Sequence, residues 1–221
     1  MRAAFIVGGA NIRNIGSFSD NVVTDGQVLM KYFCDCKMDF IHMGRKVLIL
    51  SSSPRRGGNS DTLCDEFLRG AIEAGNDAEK IFLADKKIGY CTGCSVCSLY
   101  GKPCPQNDDA AEVIDKMLAA EVIVMATPVY FYTMSAQMKT LIDRCCGPYT
   151  EMKNKEFYFI LTAAEEERDK MLRTIDTFQG FLDCLDNPVI KGVVYGLGVW
   201  HVGEIKDKPA MAEAYEMGRS I

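Results

Sequence analysis

The chain has 221 residues with a formal net charge of -5, which is long enough to bury one full hydrophobic core. Its acidic balance argues against nucleic acid or an anionic membrane as a main partner, and no apolar run is long enough to span a bilayer. Because the apolar core of residues 1–10 is too short for a signal peptide, we expect a cytoplasmic protein.

The first 42 residues do not resemble the rest of the chain, and Met43 reads like a natural start for the first strand. We expect residues 1–42 to be an N-terminal extension that packs poorly, or the product of a start codon assigned upstream in error. Residues 43–221 are predicted to form one domain. The extension is assigned no function.

From residue 46 onward, buried-strand patterns alternate with amphipathic helical patterns. The predicted strands are residues 46–50, 78–83, 121–126, 157–161 and 189–195. The predicted helices are residues 60–74, 109–118, 134–145, 171–185 and 209–217. Asp109 and Glu112 suggest a capping box for the second helix, and Leu172 is expected to face inward with Phe178. This alternation predicts an α/β fold, a doubly wound five-stranded parallel sheet with helices on both faces.

The loop after the first strand combines hydroxyl-bearing, amide and glycine residues with the start of a helix. Free N–H groups at a helix N-terminus favour an anion, and Arg55 or Arg56 can add a charge-assisted hydrogen bond. The loop has neither the spacing of a P-loop nor that of a dinucleotide-binding loop. The residues therefore indicate either a phosphate site or ordinary turn and capping chemistry.

A second loop follows the third predicted strand. Pro128 ends that strand. Tyr130, Phe131 and Tyr132 then follow in a loop, where aromatic side chains can stay partly exposed. An exposed aromatic group beside a phosphate site suits a planar ring with a phosphate tail. The alternative is that these aromatic side chains cover the core or meet a second subunit.

Four of the ten cysteines lie in one short segment at residues 91–104. Cys91, Cys94 and Cys97 have successive C-x2-C spacing, and Cys104 follows a short turn. Four thiolates select an iron–sulfur cluster or zinc, and the overlapping run is nearer the ferredoxin type. Free or disulfide-forming thiols remain an alternative. The other cysteines are interpreted as buried small residues or left unassigned: Cys34, Cys36, Cys64, Cys145, Cys146 and Cys184.

The chain is poor in candidates for general acid–base catalysis. His42 and His201 are its only histidines, and neither lies in a Ser or Cys nucleophile motif. The acidic run at residues 165–169 fits the solvated first turn of a helix. No catalytic side chain is therefore assigned, which argues against a hydrolase and favours chemistry carried by a cofactor.

Two motifs together resemble the flavodoxin-like NADPH-dependent FMN reductase family: Ser53-Pro-Arg55 with Gly58-Asn-Ser60, and Thr127-Pro-Val-Tyr130 with Ser135-Ala-Gln-Met-Lys139 through Ile142-Asp-Arg144. The resemblance covers residues 46 to about 200. It implies a flavodoxin-like fold and an FMN cofactor. It also implies a homodimer or homotetramer, in which a second subunit helps to cover the ring.

The resemblance also implies which residues contact FMN, through three loops. The first loop would hold the phosphate through Ser51, Ser53, Arg55, Asn59 and Ser60. The second would contact the ribityl chain and isoalloxazine through Pro128, Val129, Tyr130 and Phe131. The loop after the fourth strand would flank the ring through Thr162, Ala163 and Ala164, although this third loop is usually richer in glycine.

The cysteine segment is similar to that of the iron–sulfur flavoproteins, a branch of the same family. The similarity implies a 4Fe–4S cluster near the flavin, with Cys91, Cys94, Cys97 and Cys104 as its ligands. The expected function is that of an FMN-dependent oxidoreductase, with NAD(P)H or reduced ferredoxin as donor and a quinone, metal ion, oxygen or other small molecule as acceptor. The alternatives are an electron-transfer flavoprotein without a dedicated small-molecule substrate, and a thiol redox sensor on the same fold.

Overall fold

The computed structural model describes residues 44–221. The predictions for residues 1–42, including Cys34, Cys36 and His42, lie outside these described residues. None of the helices within residues 44–221 combines the length and the apolarity needed to cross a membrane.

Strands and helices alternate along the described chain, as predicted. The strands are β1 (Lys46–Ser51), β2 (Asp77–Phe82), β3 (Val122–Pro128), β4 (Glu156–Thr162) and β5 (Val189–Gly196). The helices are α1 (Asn59–Glu73), α2 (Val96–Tyr100), α3 (Ala110–Ala119), α4 (Ala136–Arg144), α5 (Leu172–Leu182) and α6 (Ala210–Arg219). Only the five-residue α2, within the cysteine segment, has no counterpart in the prediction.

The five strands form one parallel sheet in the order β2-β1-β3-β4-β5, which confirms the predicted fold class. The chain runs from β1 to β2 on one side and then returns to β3 on the other side of β1. The strand order therefore reverses between β1 and β3, where ligands of such sheets bind. Ser51 pairs with Ala126, and Pro128 pairs with Thr162, so the loops that follow β1, β3 and β4 are neighbours.

Both faces of the sheet are covered, which explains why its central strands are continuously apolar. Leu50 and Met125 belong to the core beneath α3, α4 and α5, whereas Ile49 and Val124 belong to the core beneath α1 and α6. The close contact between α1 and α6 requires small residues. A Cβ atom on Gly70 would lie 2.1 Å from the Tyr215 carbonyl oxygen.

Two details of the helices differ from the prediction. The predicted capping box is wrong. The Ala110 N–H donates to Asp108 Oδ1 at 3.1 Å, whereas the side chain of Asp109 makes no capping hydrogen bond to the helix and its Oδ2 accepts from the Lys87 N–H at 2.7 Å. Leu172 is 53% exposed, because it lies at the first position of α5, before the helix turns its apolar face to the core.

Candidate functional site

The loop between β1 and α1 is folded tightly on itself. The Gly58 N–H donates to the Arg55 carbonyl oxygen at 3.0 Å. A Cβ atom at Gly58 would lie 2.8 Å from that oxygen and 2.9 Å from Ser53 Oγ, so this position requires glycine. Ser53 Oγ itself donates to the Arg55 carbonyl oxygen and accepts from the Arg55 N–H. These contacts fix the loop around the N-terminus of α1.

Ser60 carries a buried hydroxyl group without a hydrogen-bond partner within the described residues. The residue is 1% exposed and lies in the first turn of α1. The first N–H groups of an α-helix also have no acceptor within the helix, and they lie at its positive end. An unpaired hydroxyl is costly to bury, so this one is suited to donate to an anion at the helix start.

The buried carboxylate of Asp61 stabilises the same loop. Its carboxylate accepts hydrogen bonds from Ser51 Oγ at 2.8 Å, from the Gly57 N–H at 2.8 Å and from Lys80 Nζ at 3.0 Å. Burial acts to raise the pKa of Asp61, but these hydrogen bonds outweigh it and hold the pKa below the ordinary value. The hydroxyl of Ser51, a predicted phosphate ligand, is therefore directed to Asp61.

The first and second loops are tied together by buried hydrogen bonds. Ser135 Oγ donates to Ser52 Oγ at 2.9 Å, and Ser52 Oγ donates to the Ala126 carbonyl oxygen at 2.7 Å. The Ser135 N–H donates to Thr127 Oγ1 at 2.8 Å. The three side chains that make these hydrogen bonds, Ser52, Thr127 and Ser135, are fully buried. The two loops consequently hold fixed positions relative to each other.

The second loop presents its aromatic side chains on a tight turn. Tyr130 and Thr133 exchange two backbone hydrogen bonds of 3.0 and 3.1 Å. The two residues between them have positive φ angles, 49° at Phe131 and 62° at Tyr132, as in a type I′ turn. Bulky residues rarely adopt this conformation, and such strain is typical of functional sites. The turn leaves Phe131 fully exposed.

The three loops enclose one open cleft of ≈ 370 Å³ at the carboxyl edge of the sheet. Eight of the predicted FMN contacts line this cleft, namely Arg55, Asn59, Pro128, Val129, Tyr130, Thr162, Ala163 and Ala164. Phe131 lines an adjoining cleft that shares Val129 and Ala163 with the first. Ser51, Ser53 and Ser60 are buried and do not line the cleft: Ser51 ends β1, Ser53 lies in the loop after it, and Ser60 lies in the first turn of α1.

Sequence reasoning missed a fourth segment of this cleft, residues 199–205, which follows β5. Val199 and Trp200 line the cleft beside Ala164. Asn59 holds this segment, because its Nδ2 donates to the His201 carbonyl oxygen at 3.0 Å and its Oδ1 accepts from the Gly203 N–H at 3.2 Å. The only sequence signal was the presence of the chain's sole tryptophan after a strand.

The cysteine segment lies on the surface between β2 and α3. Cys91, Cys94 and Cys104 are exposed, and Cys97 on α2 is half-buried. The Val96 N–H, followed by the Thr92 hydroxyl, lowers the pKa of Cys94 by hydrogen bonding to its sulfur. Within residues 44–221, no three Cys, His, Asp or Glu side chains lie close enough together to hold a metal ion.

Arg144 anchors the end of this segment to the body of the protein. Its Nη1 donates to Asp108 Oδ2 at 2.6 Å and to the Gly89 carbonyl oxygen at 2.8 Å. Its Nη2 donates to Asp108 Oδ1 at 3.0 Å and to Cys104 Sγ at 3.4 Å. The Arg144 guanidinium is the main reason that the pKa of Asp108 falls to about 2. The Arg144 guanidinium thus places a positively charged hydrogen-bond donor against Cys104 Sγ.

Of the remaining cysteines in the described part of the chain, Cys64 and Cys145 are buried as predicted, and burial raises the pKa of Cys145 to about 12. Cys146 and Cys184 are exposed instead. Cys146 lies beside Cys97 of the cysteine segment. Its pKa is raised, first by burial and then by its interactions with Cys97.

The comparisons with known proteins agree with this geometry. The model for the NADPH-dependent FMN reductase family matches residues 45–201, which include β1 to β5 and the first three loops of the cleft. The chain belongs to this family. The match confirms the resemblance inferred from the Ser53–Ser60 and Thr127–Tyr130 motifs.

Curated relatives point to one branch of the family. An iron–sulfur flavoprotein of Methanocaldococcus jannaschii is 46% identical over 99 residues, which are 45% of this chain and 51% of that protein. An iron–sulfur flavoprotein of Archaeoglobus fulgidus is 38% identical over 99 residues, 45% of this chain and 44% of that protein. The chain spans about half the length of these relatives.

Solved structures of other proteins share the fold of this chain. An NAD(P)H:quinone oxidoreductase from Methanothermobacter marburgensis superposes with a TM-score of 0.65 at 16% identity. The superposition covers 80% of this chain and 96% of that one. At this level of identity the likeness supports the flavodoxin-like fold alone.

Proposed function

We propose that this chain is an FMN-dependent oxidoreductase that passes electrons from NAD(P)H or reduced ferredoxin to a quinone or another small acceptor. One observation carries the proposal: the buried hydroxyl of Ser60, which has no hydrogen-bond partner within residues 44–221, lies directly beside Asn59, which lines a cleft walled by Tyr130. A ring compound with a phosphate tail needs both an anion-binding end and an apolar wall.

Two groups of residues would hold FMN in this proposal. The Ser60 hydroxyl and the first N–H groups of α1 would donate to the phosphate, and the Arg55 guanidinium would add a charge-assisted hydrogen bond. Ser51 and Ser53 would support the loop from within. The ring and ribityl chain would lie against the predicted residues of the second and third loops, Pro128, Val129, Tyr130, Phe131, Thr162, Ala163 and Ala164.

When bound, FMN supplies the redox chemistry, since flavins accept hydride or single electrons. The residues of this chain bind the cofactor, orient its ring and exclude water from one face. No side chain of the cleft needs to act as an acid or base in this scheme. The description of the matched family supports a nicotinamide donor.

We further propose a 4Fe–4S cluster bound by Cys91, Cys94, Cys97 and Cys104. The donor set fits this group chemically, because four thiols lie on one segment and hydrogen-bond donors face Cys94 and Cys104. The names of the two relatives above also support it. The described segment does not gather three ligands around one point, so no step of the proposed reaction passes through the cluster.

The proposal includes a homodimer or homotetramer formed by residues 43–221 as one domain. The fully exposed Phe131 at the rim of the cleft supports this, because apolar side chains beside a binding site are typical of surfaces that a second subunit covers. Analytical ultracentrifugation of the purified protein tests the assembly.

The function is tested by purifying the protein without oxygen and measuring its absorbance, its FMN content and its turnover of NAD(P)H with a quinone. A colourless protein that takes up no FMN would refute the proposal. Reduction by ferredoxin without any NAD(P)H turnover would instead favour the electron-carrier alternative.

The cluster is tested separately through iron and acid-labile sulfide. Cys94→Ser is expected to abolish bound iron and to leave FMN binding unchanged. The matched control is Cys184→Ser, which replaces an exposed cysteine outside the segment and should retain the iron. Iron that persists in Cys94→Ser would contradict the ligand set.

A further inference from the structure

Trp200 is the only tryptophan of the chain, and its side chain is largely exposed beside the cleft. The residue is 69% exposed and lines the cleft together with Tyr130, Thr162 and Ala163. Tryptophan is a large amphipathic residue that usually buries most of its ring. An indole left exposed at the wall of a binding cleft is therefore placed to contact a ligand.

The backbone that carries this indole is held rigidly on both sides. The Val199 N–H donates to the Ala163 carbonyl oxygen at 2.9 Å, which joins the segment to the loop after β4. The Trp200 N–H donates to Glu204 Oε2 at 2.6 Å, and Arg55 Nη1 donates to the Trp200 carbonyl oxygen at 3.2 Å. Three hydrogen bonds thus fix the backbone from which the exposed indole projects.

The partners of this segment belong to the proposed phosphate loop. Arg55 contacts residue 200, and Asn59 binds residues 201 and 203 through both atoms of its amide. The loop that would bind the phosphate therefore also holds the backbone that carries the indole. This connection places the indole and the proposed phosphate site on the same cleft.

We propose that the Trp200 indole packs against the isoalloxazine ring of FMN and forms the wall of the cleft that the sequence motifs do not include. The inference rests on the proposed function, since it assumes that the cleft binds FMN. Aromatic packing holds a flat ring without any charged contact, and Trp200 would act on the ring end of the cofactor only.

The test compares FMN with riboflavin, which has the same ring but no phosphate. Trp200→Leu is expected to weaken the binding of both ligands by the same factor, about 3- to 10-fold, the range for losing one aromatic contact. Ser60→Ala is expected to weaken FMN binding alone. Trp200→Phe should recover most of the lost affinity, because it restores an aromatic face.

Ile72→Ala serves as the matched control. Ile72 is 52% exposed near the C-terminal end of α1, so the variant removes an exposed apolar side chain about 20 Å along the helix from the loop. It should bind both ligands like the wild type.

Three outcomes would overturn the inference. If the wild type and Trp200→Leu bind FMN with the same affinity, Trp200 does not contact the ring, but the proposed function still stands. Loss of FMN affinity without loss of riboflavin affinity would assign Trp200 to the phosphate end instead. Wild-type protein that binds neither ligand would remove the proposed function as well.

Discussion

Ser60→Ala should change the stability of the free protein and its affinity for FMN in opposite directions. The Ser60 hydroxyl is buried and has no partner in the described part of the chain, which costs about 1–3 kcal/mol for a polar group. Its removal also places alanine, the best helix former, in the first turn of α1. We therefore expect the FMN-free variant to be more stable than the wild type by about 1 kcal/mol, at the low end of the range because the lost oxygen leaves a small void.

Binding should reverse this order. A hydrogen bond to a charged phosphate contributes about 1.5–3 kcal/mol, so the variant should bind FMN about 10- to 150-fold more weakly. At an FMN concentration 100 times the wild-type Kd, the wild type gains about 2.7 kcal/mol of stability, whereas a variant with 30-fold weaker binding gains about 0.9 kcal/mol. The difference of about 1.8 kcal/mol exceeds the advantage of the free variant.

Urea unfolding with and without FMN measures both effects, with Ser53→Ala as a matched control. The Ser53 hydroxyl is already bonded to the Arg55 backbone, so its loss should destabilise the FMN-free protein by about 1 kcal/mol. A Ser60→Ala protein that is less stable than the wild type without FMN would contradict the reasoning. The reasoning would also be contradicted if Ser60→Ala remained more stable than the wild type after FMN is added.

Three further changes have effects that can be worked out from the structure. Asp61→Asn should lower the free energy of unfolding by about 1–3 kcal/mol in urea titrations, because it removes the buried charge that faces Lys80. Asp108 has a folded pKa of about 2 beside Arg144, below its ordinary 3.8, so its contribution to stability is present above pH 3.8 and is lost as the pH falls through about 2. Acid unfolding monitored by circular dichroism should therefore show a shallower decline in this range for Asp108→Asn. Phe131→Asn should raise the free energy of unfolding by about 0.5–1 kcal/mol, because asparagine tolerates a positive φ and the exposed ring loses no burial; an unchanged urea midpoint would argue against strain in the turn.

The fold could be predicted from the sequence because its strongest signals are local. The four apolar residues of 47–50 mark a strand that is covered on both faces, and β1 indeed lies in the interior of the sheet. The errors lie at helix ends. Asp108 rather than Asp109 caps α3, since the position of the loop, set by Arg144, decides which carboxylate reaches the N–H of Ala110.

The cleft was predictable only in part, because hydrogen bonds between distant segments decide what each side chain does. The sequence contains several serines in the first loop but does not tell which hydroxyl is free. Ser51 is engaged by Asp61, whereas Ser60 has no partner within the described chain. Likewise, the segment that carries Trp200 is held at the cleft by hydrogen bonds from Arg55 and Asn59, more than 140 positions earlier in the sequence.

The buried hydrogen bonds that connect Ser52, Ser135 and Thr127 have a consequence for the kinetics of ligand uptake. Since folding itself assembles the two loops, a ligand that arrives does not have to order them. Association should then proceed in a single phase whose rate rises linearly with ligand concentration, without a slow rearrangement. Ser135→Ala removes the side-chain hydrogen bonds between the two loops and should introduce such a second phase in stopped-flow experiments.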